Sequence, residues 1–337
     1  MQVSVIGLDI AKSVFQVHGA ERNGKPVFSR KLRRAQVHEF FANLEPCVVG
    51  IEACHSSHYW ARELLALGHT VRLIPTQHVL PYRRGGKNDR NDAEAICDAA
   101  SRPAIRCVPV KSAEQQAIQS LHRTRERLIH ERTAKVNQIR SLVAEEGLVC
   151  PRGIAQLRRR LHELLETPDR LTPLLRSLVV LFLDQLDAAD RWIGELDLKL
   201  LELFKQSALC QRLARLHGVG PVIATAIAGS VPNARVYKNG RQFAASLGLV
   251  PRQRSSGGRT VLLGISKRGD TYLRKLLIQG ARSVLRGAGR RDDRQSRWIR
   301  QLLVRRHKHV VAVAIANKLA RTIWAMLVKG EAFQMTQ

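Results

Sequence analysis

The sequence has few aromatic residues and few acidic residues. Phe, Trp and Tyr make up 5% of its 337 residues, and 28 Asp and Glu stand against 56 Lys and Arg. The formal net charge at pH 7 is therefore +28. An excess of this size indicates a polyanionic partner, and nucleic acid is the commonest one.

Paired cysteines, long apolar runs and a signal peptide are also missing. The 6 cysteines include no Cys-x-x-Cys pair, which argues against a zinc ribbon. We find no uninterrupted apolar run of about 18 residues, and residues 1–9 do not have the pattern of a signal peptide. We therefore expect a cytoplasmic protein whose polyanionic partner is nucleic acid and not a membrane.

The N-terminal part of the chain, from residue 2 to a helix that begins near residue 89, alternates between patterns typical of strands and of helices. Asn23-Gly24 predicts a hairpin turn between the second and third strands. The predicted order is βββαβαβα, which indicates an α/β domain with a mixed sheet. The strands are predicted at 2–9, 14–17, 27–32, 47–51 and 70–74, and the helices at 36–44, 57–67 and from about 89.

Four carboxylates occupy the ends of these elements. Asp9 ends the first strand, Glu52 follows the fourth, and Asp89 and Asp92 lie one turn apart where a helix begins. Strand ends converge in open α/β sheets, and carboxylates gathered there repel by several kcal/mol unless a cation lies among them. Mg²⁺ is the simplest such cation. The alternative for Asp89 and Asp92 is a helix cap with an acidic first turn and no chemistry.

The middle of the chain is helical in pattern. Residues 112–146 carry six basic side chains, for which we favour phosphate contact over a solvated helix face. Residues 175–203 contain a heptad seam that needs an apolar partner, either the 112–146 helix or another protomer, and we expect one completed partly between chains. The basic residues are Arg123, Arg125, Arg127, Arg132, Lys135 and Arg140, and the seam is Leu175, Val179, Phe182, Leu186, Ala189, Ile193, Leu196, Leu200 and Leu203.

Two glycine-containing turns follow. Gly218 and Gly220 lie between an apolar helix end and Pro221, the form of a helix-hairpin-helix whose backbone N–H groups can bind phosphate. Further on, Ser255 and Ser256 precede paired glycines in a basic loop where a hydroxyl can approach a phosphodiester. Spacing alone favours a phosphate-binding loop without catalysis. The basic residues around the serines are Arg252, Arg254, Arg259, Lys267 and Arg268.

Three segments together resemble the Asp-Glu-Asp-Asp motif of the IS110/IS1111 transposases. They are Gly7-Leu8-Asp9-Ile10-Ala11-Lys12, Gly50-Ile51-Glu52-Ala53 and Lys87-Asn88-Asp89-Arg90-Asn91-Asp92-Ala93. The resemblance implies an N-terminal domain with the RNase H-like fold of the RuvC resolvase, with Mg²⁺ bound by Asp9, Glu52, Asp89 and Asp92. Residues 212–286 resemble the C-terminal transposase domain of the same family, in which a serine joins covalently to DNA. The pattern assigns that role to Ser256, with Ser255 as the alternate.

The resemblance also implies an organisation and a set of partners. We expect a RuvC-like catalytic domain at 1–108, a helical coiled-coil region at 109–207 and a mainly α C-terminal domain at 208–330. The implied partners are donor and target DNA, a bridge RNA that guides the protein, and further copies of the chain in a dimer or tetramer, in association with the bacterial nucleoid. Two alternatives remain, a RuvC-like nuclease that uses water and a non-catalytic nucleic-acid-binding protein.

Overall fold

The computed structural model describes residues 2–86, 88–167 and 169–330. The chain forms two compact units, Met1–Gln116 and Ala117–Gln337. The expected division into a helical region and a C-terminal domain at 207/208 stays a prediction. Lys87 of the Asp-Glu-Asp-Asp motif and the expected C-terminal tail from 331 onwards lie outside the described residues.

A five-stranded mixed sheet forms the centre of the first unit, and the predicted element order is confirmed. The strand order is β3-β2-β1-β4-β5, with β1 antiparallel to β2 and parallel to β4. A short helix and a 3₁₀ turn at Leu80–Tyr82 are additions between the last strand and the last helix. The elements are β1 Val5–Asp9, β2 Val14–Ala20, β3 Pro26–Arg33, α1 Gln36–Ala42, β4 Val48–Glu52, α2 Ser57–Ala66, β5 Thr70–Ile74, α3 Thr76–Val79 and α4 Asp89–Ser101.

The two faces of the sheet are covered by different helices. Ile6 and Leu8 of β1 pack with Phe41 of α1 and Leu64 of α2 in one apolar core. The opposite face is covered by α4, which contacts β1, β2 and β4. Because both faces are covered, the central strands read as apolar runs and not as alternating ones.

The second unit is helical apart from one β-hairpin in its described residues. The core of its C-terminal part is formed by α8, α9, α10, α11, α12 and α13. The elements are α5 Ala113–Ala144, which begins in the first unit, α6 Ile154–Glu166, α7 Pro173–Gln206, α8 Ala208–Ala214, α9 Pro221–Ser230, α10 Gly240–Ser246, β6 Pro251–Ser256, β7 Arg259–Ile265, α11 Thr271–Gly287, α12 Arg294–Arg305 and α13 Lys308–Lys329. A 3₁₀ turn at Ala234–Val236 precedes α10.

Much of the basic face of α5 is engaged within the protein. Arg125 forms an ion pair with Asp197 of α7 at 2.5 Å, and Arg132 pairs with Asp190 of the same helix. Arg140 donates to backbone carbonyls between α5 and α6. The hypothesis that this face contacts phosphate is wrong for these three arginines.

The N-terminal half of the heptad seam has its partner within the chain. Leu175, Val179 and Phe182 pack in one core with residues of α5 and α6, such as Ile139 and Leu161. The C-terminal half is less covered, since Leu196 and Leu203 are only half-buried, and Trp192 and Leu198 beside them are 50% and 68% exposed. An interchain coiled coil therefore stays a prediction, and only this second half is available for it.

The helix α13 is long and apolar enough to cross a membrane by length and composition, with a mean hydropathy of 1.5. Asn317, Lys318 and Arg321 interrupt this segment, so it is not an uninterrupted apolar run. Its side chains Ile315, Leu319 and Ile323 are fully buried in the core of the second unit. A core helix of this kind needs no membrane to cover its apolar face.

Candidate functional site

Asp9 and Glu52 lie at the carboxyl ends of neighbouring parallel strands. The register of β1 with β4 pairs Leu8 with Ile51, so the residue that follows each of them ends its strand at the same edge of the sheet. The sequence predicted this placement, because parallel neighbours put their carboxyl ends together.

Two glycines allow α4 to lie against this part of the sheet. Gly7 and Gly50 are paired in the register of β1 with β4. A Cβ on Gly7 would lie 2.0 Å from the carbonyl oxygen of Ala93, and one on Gly50 would lie 2.5 Å from the Cβ of Ala100. The backbone of the helix therefore approaches the strands closely only because both side chains are missing.

The direction of α4 brings its first turn to the carboxyl end of β1. The Cys97 thiol donates to the carbonyl of Val5, and Ala93 lies over Gly7. The N-terminal direction along α4 therefore follows the C-terminal direction along β1. The first turn of α4 continues in this direction and places Asp89 and Asp92 near Asp9.

Asn88, and not Asp89, is the N-cap of α4. The side chain of Asn88 accepts a hydrogen bond from the backbone N–H of Asn91 at 2.9 Å, and Asn91 in turn donates to the Gly86 carbonyl. The capping interpretation of Asp89 is therefore wrong. Asp89 and Asp92 still lie in the first turn, where the helix dipole favours a negative charge.

The four carboxylates share one electrostatic environment. The pKa of Asp9 is raised from 3.8 to about 6, first by burial and then by the negative charges of Asp92, Asp89 and Glu52. The backbone N–H of Ile10 acts in the opposite direction. The negative charge of each of the other three carboxylates thus contributes to the raised pKa of Asp9, which shows that their combined charge is incompletely neutralised.

Two further side chains at this edge were missed by the sequence reasoning. The Thr76 hydroxyl donates to Glu52 Oε1 at 2.5 Å, and Arg83 lies 3.5 Å from Asp92. Thr76 follows the end of β5, the strand next to that of Glu52, so the rule about strand ends could have found it. Arg83 belongs to the basic run before α4, which gave no sign of its acidic partner.

The donor set at this edge fits a hard divalent cation in its chemistry. All four candidate ligands are carboxylates, the oxygen donors that Mg²⁺ prefers. Burial, followed by the negative charges of the other three, raises the pKa of Asp9. Within residues 2–86, 88–167 and 169–330, however, no three His, Cys, Asp or Glu side chains are close enough together to hold a metal ion. A cation bound here would have to draw the carboxylates closer.

Asp9→Asn is expected to stabilise the metal-free protein at neutral pH. Because folding raises the pKa of Asp9, its ionisation costs stability progressively between pH 4 and 6, fully above pH 6 and not at all below pH 3.8. After discounting for solvent screening, the gain at pH 7.5 is ~1–2 kcal/mol. Urea unfolding in EDTA at pH 7.5 and at pH 4 measures it, and the gain should disappear at pH 4.

Repeating the titration in Mg²⁺ gives the matching control. A bound cation should stabilise the wild-type protein more than the Asp9→Asn variant and reduce or reverse their difference. Equal stabilisation of the two proteins by Mg²⁺ would show that Asp9 is not a ligand.

The serine segment is a β-hairpin, where the sequence predicted an irregular loop. β6 and β7 are joined by Gly257 and Gly258, whose φ angles are +53° and +75°. Positive φ at both central residues is the signature of a type I′ turn, which glycine adopts without strain. Paired glycines in a two-residue turn are a hairpin signal that could have been read from the sequence.

The hairpin places the two serines on opposite faces. Ser256 pairs across the strands with Arg259, and Arg254, two residues before it, lies on the same face. Ser255 lies on the other face, where its hydroxyl accepts a hydrogen bond from Gln253 at 2.7 Å and donates to Thr260. Ser256 therefore shares its face with two cations, whereas Ser255 is engaged with neutral side chains.

The candidate phosphate-binding residues of this segment are available to a ligand. Every residue of β6 is exposed, and none of the five basic side chains forms an ion pair with a described carboxylate. The base of the hairpin is fixed by the buried Arg274, which donates to the carbonyls of Leu247 and Arg268. The basic residues are Arg252, Arg254, Arg259, Lys267 and Arg268.

The two glycines of the turn between α8 and α9 have different surroundings. Gly218 has φ +89°, and a Cβ there would lie 2.8 Å from the carbonyl oxygen of Gly280 in α11, so its side of the turn faces the core. Gly220 is exposed at the N-cap of α9, and nothing lies within 4 Å of its Cβ position. Packing explains why residue 218 is a glycine, and the binding of nucleic acid by Gly218 and Gly220 stays a prediction.

Comparisons with known proteins match both units. A family model described as a transposase with an Asp-Glu-Asp-Asp motif matches residues 6–146, and the transposase IS116/IS110/IS902 family model matches residues 210–297. The chain is 53% identical over 333 residues to a probable family 20 transposase of Pseudomonas aeruginosa, covering 97% of each protein. It is 40% identical to the transposase for insertion sequence element IS1111A of Coxiella burnetii, covering 98% of this chain and 92% of that protein. It is 38% identical to the IS1328 transposase of Yersinia enterocolitica, covering 98% of each.

Proposed function

The chain belongs to the IS110 family of insertion-sequence transposases, and from that premise we propose that it cleaves and rejoins DNA through a covalent bond to Ser256. Family membership makes it a DNA transposase with an Asp-Glu-Asp-Asp domain of the RNase H-like type. The observation that supports the serine mechanism is the hairpin, which displays Ser256 beside Arg254 and Arg259 on one exposed face.

In the proposed step, the Ser256 Oγ attacks a DNA phosphorus while its proton is taken up by solvent or a carboxylate. One bridging P–O bond breaks, and the released DNA oxygen gains a proton and becomes a free hydroxyl. Arg254 and Arg259 bind the non-bridging oxygens by charge-assisted hydrogen bonds. Attack of another strand's hydroxyl on the phosphoserine reverses these changes and restores the serine, so rejoining needs no nucleotide cofactor.

The carboxylates supply the second part of the proposed site. Asp9, Glu52, Asp89 and Asp92 would hold Mg²⁺, which supplies Lewis-acid stabilisation of charge on the phosphate and on the attacking or leaving oxygen. The support is their common electrostatic effect on Asp9 and the all-oxygen donor set. Arg83 and Thr76 hold Asp92 and Glu52 in place at the same edge.

We also propose an RNA partner, an oligomeric state and a cellular location, all of which the resemblance to the family implies. A bridge RNA would supply sequence recognition, which fits a net charge of +28 on a chain whose helices show no evident base-reading pattern. A dimer or tetramer would bring the carboxylates of one protomer to the serine of another, with the exposed half of α7 as the available contact. We place the protein in the bacterial cytoplasm, associated with the nucleoid.

A denaturing gel of cleaved, end-labelled DNA tests the serine mechanism against hydrolysis. We expect a protein-retarded band that protease converts to a short peptide adduct and that does not form in EDTA. Free DNA ends without attached protein would establish a RuvC-like nuclease that uses water. Equal binding with no cleavage under any metal condition would establish a non-catalytic binding protein. Sequencing the RNA that copurifies tests the guide separately.

A further inference from the structure

A groove of about 1,410 Å³ lies in the second unit beside the base of the hairpin. We call it the α13 groove. Its floor is one face of α13, and its walls are the start of α10, Trp298 of α12, and Pro251 and Ile265 at the foot of the hairpin. The proposed reaction does not use these residues.

The floor of the groove is apolar at one end and cationic at the other. Val310, Val313 and Ala314 line it near the start of α13, and Lys318 and Arg321 line it further along the helix. Val310, Ala314, Lys318 and Arg321 follow one another at steps of four, four and three residues, which places them on one helical face with Val313 beside them. An occupant must therefore offer apolar surface and negative charge within a short distance.

The groove carries positive charge with no acid among its described lining residues. Arg241, from the start of α10, and His309, from the start of α13, also line it. The pKa of Lys318 is lowered, first by burial and then by Arg294 and Arg321, with Asp293 acting in the opposite direction. Such crowding of cations is relieved by an anionic ligand.

An aromatic ring lies within reach of these cations. The ammonium of Lys318 is 4.7 Å from the centroid of the Trp298 ring, and the indole of Trp298 is only half-buried. Aromatic rings beside backbone-binding cations are the combination by which proteins bind unpaired nucleotides. The Lys318 ammonium lies over the face of the Trp298 indole on which a base could stack.

We propose that the α13 groove binds an unpaired segment of single-stranded DNA, with a base stacked on Trp298 and its phosphates on Lys318 and Arg321. The proposal rests on DNA cleavage by the hairpin. A six-residue strand such as β6 spans about 20 Å, so a DNA strand attached at Ser256 would reach the groove within a few nucleotides.

The position of the groove beside the proposed nucleophile, and not its polar side chains, favours DNA over RNA. Asn317 donates to the Leu249 carbonyl at 3.2 Å, and Thr322 donates to the Lys318 carbonyl. The oxygen of Asn239 accepts from the backbone of Gln242. Each of these side chains has one polar atom engaged within the protein, but an amide has a second polar group and a hydroxyl can also accept. The choice of DNA therefore rests on the short distance from Ser256 to the groove.

Fluorescence anisotropy with a labelled oligothymidylate tests the groove, in a Ser256→Ala background so that no cleavage is required. We expect Trp298→Ala to weaken binding about tenfold and Trp298→Phe to retain most of the affinity. Tyr59→Ala, which removes an exposed aromatic ring of α2 outside the groove, should leave the affinity unchanged. Circular dichroism and thermal unfolding show whether each variant is folded.

The salt dependence of binding separates the phosphate contacts of Lys318 and Arg321 from base stacking on Trp298. Lys318→Gln combined with Arg321→Gln should reduce the slope of log K against log salt by about 1.4, because each phosphate contact on a single strand contributes about 0.7. Trp298→Ala should leave this slope unchanged, and it should not affect duplex binding, since the bases of a duplex are already stacked.

Three results would overturn the proposal. If Trp298→Ala lost the same affinity for duplex DNA as for single-stranded DNA, base stacking on Trp298 would be excluded. Tighter binding of oligouridylate with the same dependence on Trp298 would assign the groove to RNA. A change of oligomeric state in sedimentation of Trp298→Ala would assign it to a second copy of the chain. Failure of adduct formation in the wild-type protein would refute the serine mechanism. The binding measurements would still show whether the α13 groove binds single-stranded DNA, because they require no cleavage.

Discussion

Replacing Ser256 with alanine is expected to abolish covalent protein–DNA adducts completely, whereas Ser255→Ala is expected to retain them. The hairpin gives the reason, because only Ser256 lies on the face that carries Arg254 and Arg259. The hydroxyl of Ser255 is held by Gln253 and Thr260 on the other face. The measurement is the fraction of labelled DNA retained with protein after denaturation.

Ser255→Ala is a closely matched control for this experiment. It removes the same atom from the neighbouring exposed position of the same strand, so general effects on the hairpin should be shared. DNA binding by both variants should equal that of the wild-type protein. Adducts that persist in Ser256→Ala and vanish in Ser255→Ala would move the nucleophile by one residue and require the hairpin to twist on binding DNA.

Arg259 extends the same reasoning from the nucleophile to its surroundings. Its side chain lies directly across the strands from Ser256, whereas Arg252 lies near the foot of the hairpin, at the register shift between Pro251 and Gln253. The face of the hairpin, more than the number of arginines around the serines, therefore distinguishes cations that can bind the reacting phosphate from cations that bind DNA further away. The sequence alone showed only that all of these arginines are near the serines.

Most of the first unit could be predicted from the sequence, because local residue patterns determine its strands and helices and the strand ends determine where Asp9 and Glu52 lie. Apolar runs ending in Asp9 and Glu52 predicted neighbouring strands, and the parallel register confirms their common edge. The placement of Asp89 and Asp92 could be predicted only as a helix start. Its relation to Asp9 depends on how closely α4 approaches the sheet, which no periodicity records.

The second unit was less predictable because its charges and apolar faces have partners distant in sequence. Arg125 and Arg132 looked like phosphate ligands, since the acidic residues that pair with them lie on α7, 58 to 72 positions later. The heptad seam showed that α7 needs a partner, but a seam is compatible equally with a helix of the same chain and of another one. The hairpin was missed because both of its strands are exposed and neither shows the alternation of polar and apolar residues that burial of one face imposes. β6 is polar throughout, and β7 carries the consecutive exposed apolar residues Val261, Leu262 and Leu263.

Gly7→Ala is expected to disrupt the carboxylate site without touching a carboxylate. The new Cβ would lie 2.0 Å from the carbonyl oxygen of Ala93 and 2.5 Å from the backbone nitrogen of Cys97, both in the helix backbone. No side-chain rotation relieves a contact with backbone atoms, so α4 must move away from β1. Overpacking of this kind costs ~3 kcal/mol, and the movement separates Asp92 from Asp9. We expect the variant to lose DNA cleavage and most of the stabilisation by Mg²⁺.

Gly86→Ala is the matched control, because nothing lies within 4 Å of its Cβ position. It should unfold in urea close to the wild-type midpoint, whereas Gly7→Ala should unfold at a clearly lower concentration. Cleavage is then measured at a temperature where Gly7→Ala is still folded, so that lost stability is separated from lost geometry. If the folded variant cleaves at the wild-type rate, the close approach of α4 serves packing alone. If it is folded and inactive, the distance between helix and strand is itself a catalytic requirement, set by a residue that has no side chain.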